Sequence, residues 1–263
     1  MSLLASSSTE TFPKDTFTVI LPAYNEEKLI GGALDEICEL ITKNNLRWNV
    51  IVSVDGTDKT KDIVSTYSAK YNFISCLYSG TRSGKGAAVK RVLDSINSDY
   101  VILMDADKSM AFSSIMKGLY LLGEFDGLVF SRYFKENRIP LIRKVLSRGF
   151  NVLVRATLQI KIRDTQTGYK VFKTGPFVAA MKKVGSTNTF FDIALLYHLK
   201  EQKVKIKEVE SSYNHRRESK FHPVGEIVGQ GMSLIGFRIR HSRFNKYVPR
   251  QLVILYYRIF KWI

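Results

Sequence analysis

The 263 residues are 45% hydrophobic, enough to bury one substantial core and short for more than one domain with an appendage. Lys and Arg outnumber Asp and Glu by 40 to 24, a formal charge of +16, and the excess is one-sided. Residues 1–131 carry 13 basic and 16 acidic side chains, residues 132–263 carry 27 and 8. A second half at +19 calls for a polyanionic partner, whether nucleic acid, an anionic membrane or phosphorylated ligands, unless it is simply a charged solvated surface. No run approaches the roughly 20 apolar residues of a membrane-crossing helix, and Met1–Asp15 is polar and Ser-rich, without the apolar core of a secretory signal. Cys38 and Cys76 lack metal-ligand spacing and read as buried apolar residues of a protein made in a reducing compartment.

In chain order, Phe17–Leu21, Trp48–Val54, Phe73–Tyr78, Tyr100–Met104 and Leu128–Phe130 read as buried strands. Between them, Glu27–Lys43, Lys59–Lys70, Lys85–Ser95 and Ser113–Leu122 carry helical spacing. This alternation predicts an α/β, Rossmann-like fold with a mostly parallel central sheet, whose ligands gather at the carboxyl ends of the strands. Beyond Arg132 the pattern predicts a long amphipathic helix over Pro140–Gln159, a polar turn Arg163–Gly168, helices over Thr174–Val184 and Phe190–Gln202, and a strand over Val204–Val209. A charged segment His215–His222 then precedes a helix from Pro223 to His241. The tail Tyr247–Ile263 mixes aliphatic and aromatic residues with Arg250, Arg258 and Lys261, as a helix lying in a membrane interface does, or one packed on protein. The organisation is therefore one domain over residues 1–242 and a C-terminal amphipathic appendage over 243–263.

Four strand ends carry ligand-like clusters. After the fourth, Asp105-Ala106-Asp107 sets two carboxylates one residue apart, able to share a hard divalent cation (Mn2+ or Mg2+) with the diphosphate it chelates. After the first come Pro22, Ala23, Tyr24, Asn25 and Glu26: Pro22 stiffens the turn, Tyr24 offers a flat face for a base or ribose, and Asn25 is placed to cap the next helix. After the second, Asp55 is available to a nucleobase or ribose and Asp58 to a helix cap. After the third, Ser83-Gly84-Lys85-Gly86 lets backbone N–H groups and the Lys85 ammonium approach an anion at a helix start. The P-loop spacing and G-x-G-x-x-G are both missing, which argues against a P-loop nucleotidase or a dinucleotide-dependent dehydrogenase.

Together these motifs resemble the family-2 glycosyltransferases of the GT-A fold, and within them the dolichyl-phosphate mannose synthases and dolichyl-phosphate glucosyltransferases, over about Phe17 to Arg240. Phe130-Ser131-Arg132-Tyr133 is similar to that group's GSRY strand end, Arg163 through Phe172 to its RDTQxGxKxF segment, and Phe191 through Tyr197 to its FDxELLY helix. Glu218-Ser219-Lys220 stands where those enzymes carry Gly-Ser-Lys or Glu-Ser-Lys. The Gln166 segment is the most specific of these and leans to the glucosyltransferase branch. The resemblance implies that Asp55 holds base or ribose, Asp105 ribose or metal, and Asp107 the metal. It implies that Arg132, Arg216, Arg217, Ser219 and Lys220 meet an acceptor phosphate, and that Gln166 shapes the sugar and acceptor pocket. The second motif departs from D-D-G-S-x-D, with Val54 at the first Asp; Ser109 replaces a Gln, and Ala194 replaces the Glu of FDxELLY.

The chemistry fits a phosphate acceptor. A sugar hydroxyl needs a general base; a lipid monophosphate is already anionic and needs cationic positioning and stabilisation of the departing diphosphate. Asp192 reads as a base, a ligand of a donor hydroxyl, or a helix N-cap. The expectation is an inverting, metal-dependent transfer of mannose or glucose from GDP-mannose or UDP-glucose to a polyprenyl or dolichyl phosphate. The enzyme would sit peripherally on the cytoplasmic face of an anionic membrane, with no nucleic acid involved. The rivals are a transferase to a glycan or glycolipid hydroxyl, using Asp192 as base, a nucleotidyltransferase, and a basic nucleic-acid-binding protein, for which no recognised module is present.

Overall fold

The computed structural model describes residues 14–107, 109–133, 141–186, 188–211 and 223–242, without the side chains of 141–144 and 223–228. Seven strands form one sheet: β1 Phe17–Tyr24, β2 Trp48–Asp55, β3 Ile74–Ser79, β4 Tyr100–Leu103, β5 Gly127–Ser131, β6 Lys170–Lys173 and β7 Ile206–Glu210, in the order β3-β2-β1-β4-β6-β5-β7. The helices are α1 Ile30–Lys43, α2 Thr60–Lys70, α3 Lys85–Val92, α4 Phe112–Met116, α5 Leu141–Leu158, α6 Thr174–Lys183, α7 Phe191–Glu201 and α8 Pro223–Arg240. All strand pairs are parallel except those of β6, which runs antiparallel between β4 and β5. The sheet is thus mostly parallel, as expected, with a seventh strand that the sequence pattern did not signal.

Side-chain alternation splits the core into two layers. Phe17, Val19 and Leu21 of β1 pack with Val50, Val52 and Val54 of β2 under α1 and α4, while Ile20 and Ile51 face the opposite layer with α3, α6 and α7. Both faces are apolar because crossover helices cover both. At the amino end of the sheet, Phe17 packs against Trp48 at 4.5 Å and Tyr100 at 5.3 Å between ring centroids, closing the floor away from the ligand end. Cys38 is buried as expected; Cys76, on the edge strand β3, is half-buried.

Several local expectations are corrected. Pro22 is not in a turn but inside β1, opposite Ser53. The Ile20 carbonyl accepts from Met104 N–H, so the same side of Pro22 faces the β4 flank just past that strand's end. No ladder bond is lost there, and a gap opens between β1 and β4. Asn25 does not cap α1, which begins at Ile30; it sits at φ 52° and its Oδ1 accepts from Thr57 N–H in the loop after β2. The expected helix over Ser113–Leu122 breaks into α4 and a 3₁₀ turn, Leu119–Leu121. Between them, Gly118 lies so close to the Phe130 ring that a Cβ would come within 2.8 Å of it. Asp58 does serve its helix, accepting from Thr60 N–H at 3.0 Å while also taking Glu27 N–H.

Candidate active site

The strand order reverses at β1: β2 and β3 lie to one side, β4 to the other. The crevice beyond the β1 and β4 carboxyl ends is where an open α/β sheet receives ligands. A small depression there is lined by Pro22, Lys85, Met104, Gly168, Phe191 and Asp192, among others. Into it converge the DAD triplet after β4, the first turn of α3, the segment before β6 and the first turn of α7.

The centre is an alternating row of charges. The Lys85 ammonium meets Asp105 Oδ1 at 2.6 Å and lies 3.9 Å from Asp192 Oδ2. Lys170, fully buried, donates to Asp192 Oδ1 and to the carbonyl of Thr167. Burial pulls the Lys85 pKa down, but Asp105 and Asp192 outweigh it and raise it above the ordinary lysine value. For Lys170 burial wins, and its pKa falls despite Asp192. Burial raises the Asp105 carboxyl, yet Lys85, then Lys170 and Arg132, hold it below the usual carboxylate range. Asp192 is therefore not the N-cap of α7: it lies inside the first turn, caps no backbone N–H, and is a counter-ion instead.

Asp107 Oδ1 accepts from Ser109 N–H at 2.9 Å and from the Tyr169 hydroxyl at 3.5 Å. Tyr169 also approaches the Asp105 carbonyl, so the DAD turn is braced from the residue just before β6. Gly168 abuts Asp105 so closely that a Cβ would overlap its carboxylate. Among the described residues no cluster of three or more His, Cys, Asp or Glu offers an all-protein metal cage. The two hard carboxylates fit a divalent cation whose coordination is completed by a diphosphate and water.

At the end of β2, Asp55 is buried. Its Oδ2 accepts from Ser83 N–H at 2.7 Å and Ser83 Oγ at 2.6 Å, and its Oδ1 from Arg91 at 2.8 Å. Burial raises its pKa, but the Ser83 and Arg91 bonds overcome that and hold the carboxyl low. Tyr24 is exposed, with the Arg82 guanidinium 4.7 Å from its ring centroid. Glu26 places its N–H on Thr60 Oγ1 at 2.8 Å.

On the other side, Arg132 forms a fork with the fully buried Asp164: Nε at 2.8 Å, Nη2 at 2.7 Å, with the Arg132 backbone N–H at 2.9 Å. Burial raises the Asp164 carboxyl, and Arg132 outweighs it and keeps it ionised. The expected acceptor cation is thus partly neutralised inside the fold. Gln166 donates to Gln230 of α8, and Thr165 donates from its N–H and hydroxyl to Asn151 Oδ1 of α5 at 2.9 and 2.6 Å. Arg216, Arg217, Ser219, Lys220 and the tail 243–263 lie outside the described residues.

The sequence profile described as glycosyl transferase family 2 matches residues 18–179, the whole span from β1 into α6. The chain belongs to that family. Relatives of this glycosyltransferase include a dolichyl-phosphate beta-glucosyltransferase of Trichomonas vaginalis, 29% identical over 82% of this chain and 71% of the relative. The Homo sapiens dolichyl-phosphate beta-glucosyltransferase is 27% identical over 87% of this chain and 76% of its own. Among solved structures, glucosyl-3-phosphoglycerate synthase from Mycobacterium tuberculosis, in complex with Mn2+, UDP and phosphoglyceric acid, superposes with TM-score 0.63. It is 19% identical, over 86% of this chain and 78% of that one, a likeness of fold.

Of the residues expected in this family-2 site, the structure brings Pro22, Lys85, Asp105 and Asp192 together at one crevice, with Asp107 two residues beyond Asp105 and Gln166 two before Gly168, while Asp55 is held by Ser83 and Arg91 at the end of β2. Four partners were missed: Lys170, Arg91, Asp164 and Asn151. Lys170 carried a signal, a lone lysine inside the apolar run Tyr169–Phe172, which in a buried strand demands a counter-ion. Arg91 and Asn151 carried none, each being one polar residue on an amphipathic helix.

Proposed function

We propose that this family-2 glycosyltransferase moves a hexose, glucose in preference to mannose, from a nucleoside diphosphate donor (UDP-glucose rather than GDP-mannose) to a polyprenyl or dolichyl phosphate, with inversion. The observation that carries the phosphate acceptor is the state of Asp192. The carboxylate that a hydroxyl acceptor would need as its base is buried, hydrogen-bonded to Lys170 and flanked by Lys85. A carboxylate spent on two ammonium groups is poorly placed to take a hydroxyl proton, whereas an anionic phosphate needs no proton removed. The relatives' names point to the same acceptor and to glucose.

In this reading Asp55, locked by Ser83 and Arg91, forms the floor for base or ribose beside Tyr24, Ala23 and Glu26. Asp105 and Asp107 would hold a divalent cation, Mn2+ or Mg2+, which when bound screens the diphosphate's charge and helps it leave. Lys85 adds a second positive charge on the same leaving group from the start of α3. The acceptor phosphate oxygen attacks the anomeric carbon as the bond to the diphosphate oxygen breaks. The electron pair leaves on the nucleoside diphosphate and no proton moves. Arg132, Arg216, Arg217, Ser219 and Lys220 would orient the acceptor, and Gln166, fixed by Gln230, the sugar. The enzyme is proposed to work peripherally at the cytoplasmic face, with residues 1–242 as catalytic domain and 243–263 as an accessory helix; among the described residues no helix is long and apolar enough to cross a membrane.

The deciding experiment offers UDP-glucose and GDP-mannose, each with a prenyl phosphate and Mn2+ or Mg2+, and follows nucleotide release and the anomeric configuration of the product by NMR. Transfer from UDP-glucose giving a β-linked glucosyl phosphate is expected. Turnover only with hydroxyl acceptors would overturn the reading and return Asp192 to the role of base.

A further inference from the structure

Helix α5 is buried on one side by Phe150, Val154 and Leu158. Its opposite side breaks the rule that a surface helix turns charged residues to water. Val145, Gly149, Val152 and Ala156 follow one another at spacings of four, three and four residues, a single stripe, with Leu153 beside it, and all are exposed. Among the described residues, every large aliphatic side chain that stands exposed belongs to α5 or α8. They are Val145 at 60%, Val152 at 60%, Leu153 at 52%, Ile235 at 54% and Ile239 at 41%. The two helices pack against each other.

The charge carried by these two helices is mostly positive. Leu141–Leu158 contains four basic residues and no acidic one, and α8, with Glu226 in its first turn, ends on Arg238 and Arg240. Beside the stripe lies an open groove of about 490 Å³ lined by Val152, Arg155, Ala156, Gln159, Ile160 and Lys161. It has apolar walls with two cations, and the Arg155 Nε in it is buried without a hydrogen-bond partner. Apolar insertion combined with an excess of positive charge matches an anionic lipid surface; a protein partner would need acidic residues of its own arranged to suit.

The stripe is also wired to the crevice. Asn151, on the buried side of α5, accepts both bonds of Thr165, and Gln230 of α8 accepts from Gln166. The two helices that carry the apolar residues therefore hold both ends of the Thr165–Gln166 segment.

We propose that the outer face of α5, extended by Ile235 and Ile239 of α8, is a bilayer-docking surface that seats anionic lipid in the Arg155–Lys161 groove and sets the crevice at the headgroup plane. This deepens the proposed transfer to a lipid phosphate, on which it rests, by naming the surface that meets the lipid.

The test uses the full chain and vesicles of phosphatidylcholine with a minority of phosphatidylglycerol. Val152→Asp with Leu153→Asp, both at exposed positions, should lower vesicle co-sedimentation at least tenfold while circular dichroism and unfolding temperature stay unchanged. Arg155→Ala with Lys161→Ala should remove most of the preference for phosphatidylglycerol over pure phosphatidylcholine vesicles. With UDP-glucose, the aspartate variant should lose transfer to a long-chain prenyl phosphate in vesicles but keep transfer to a short, water-soluble one. Variants that sediment like the wild type would overturn the proposal, as would a wild-type chain that ignores vesicles yet forms a dimer broken by the aspartates. If vesicle binding depends on these residues but no prenyl phosphate is ever glycosylated, the docking face stands and the proposed reaction falls.

Discussion

Asp107 and Asp192 share a charge and a crevice but have opposite surroundings. Asp107 Oδ2 accepts no hydrogen bond among the described residues, while its Oδ1 is fixed by Ser109 and Tyr169, a geometry that presents one free oxygen to a ligand. Asp107→Asn should leave unfolding unchanged and lower kcat by two orders of magnitude or more, about 3 kcal/mol of lost stabilisation. Steady-state rates with Mn2+ check this, and near-normal turnover would remove Asp107 from the metal site. Asp192 depends on Lys170, so Lys170→Met strands a buried carboxylate and should destabilise the fold by about 3–5 kcal/mol in urea. A Lys170→Met, Asp192→Leu double variant should regain most of that loss, since an apolar pair can replace a buried ion pair at little net cost. A double variant as unstable as the single one would show that Lys170 acts through Thr167 alone.

At the scale of elements, β6 organises the site. Only four residues long and followed at once by α6, it offers too little periodicity to be read as a strand, yet its insertion between β4 and β5 brings Gly168 onto Asp105 and Lys170 onto Asp192. The loop leading into it is pinned by Asp164 and Arg132. Arg132→Ala should therefore cost stability, about 3 kcal/mol, rather than only raise KM for the acceptor. Equilibrium unfolding separates the two, because a KM effect at unchanged stability would leave Arg132 with the acceptor role alone. Helix α7 meets α8 and the residue after it through His198, Phe237 and His241, with His198 and His241 ring centroids 5.4 Å apart. Burial, then His241 and Lys183, push the His198 pKa down from 6.5 to about 4 against a weak opposing pull from Glu201. The folded state thus prefers neutral His198. Its contribution is intact above about pH 6.5 and is lost as pH falls towards 4, where only the unfolded chain has gained the proton. Urea midpoints measured between those pH values should drop by more in the wild type than in His198→Phe, a difference of roughly 2–3 kcal/mol. Equal slopes would exclude His198 as the source.

For the molecule as a whole, the asymmetry of charge is a statement about partners. The near-neutral first half carries the residues proposed for the donor, and the strongly basic second half carries α5, α8 and most of those proposed for the acceptor. Truncation after Ser242 should preserve donor-nucleotide binding, since every proposed donor residue lies before α4, and should weaken vesicle binding without abolishing it. Raising salt towards 1 M, where the Debye length is ~3 Å, should likewise weaken vesicle binding only in part, because apolar insertion survives screening. Titration calorimetry and co-sedimentation read these separately. Loss of nucleotide binding on truncation would mean that the tail belongs to the catalytic domain.

What the sequence determined by itself was the plan: alternating apolar and amphipathic segments gave the mostly parallel α/β sheet, and the chemistry-bearing motifs after the strands gave the family. Those signals are local, since a strand, its turn and its helix are adjacent in the chain. Tertiary structure alone decided how the charges are paired. Lys170 and Asp192 are 22 residues apart, Arg132 and Asp164 32, and Arg91 and Asp55 36. No local pattern records which buried charge answers which. It also decided that Asn25 braces a neighbouring loop and caps no helix, and that Pro22 is harmless inside a strand, because both depend on where β2 and β4 end. In the sequence α5 reads only as part of one long amphipathic helix, and burial of Phe150, Val154 and Leu158 showed that Val145, Val152 and Leu153 face outward.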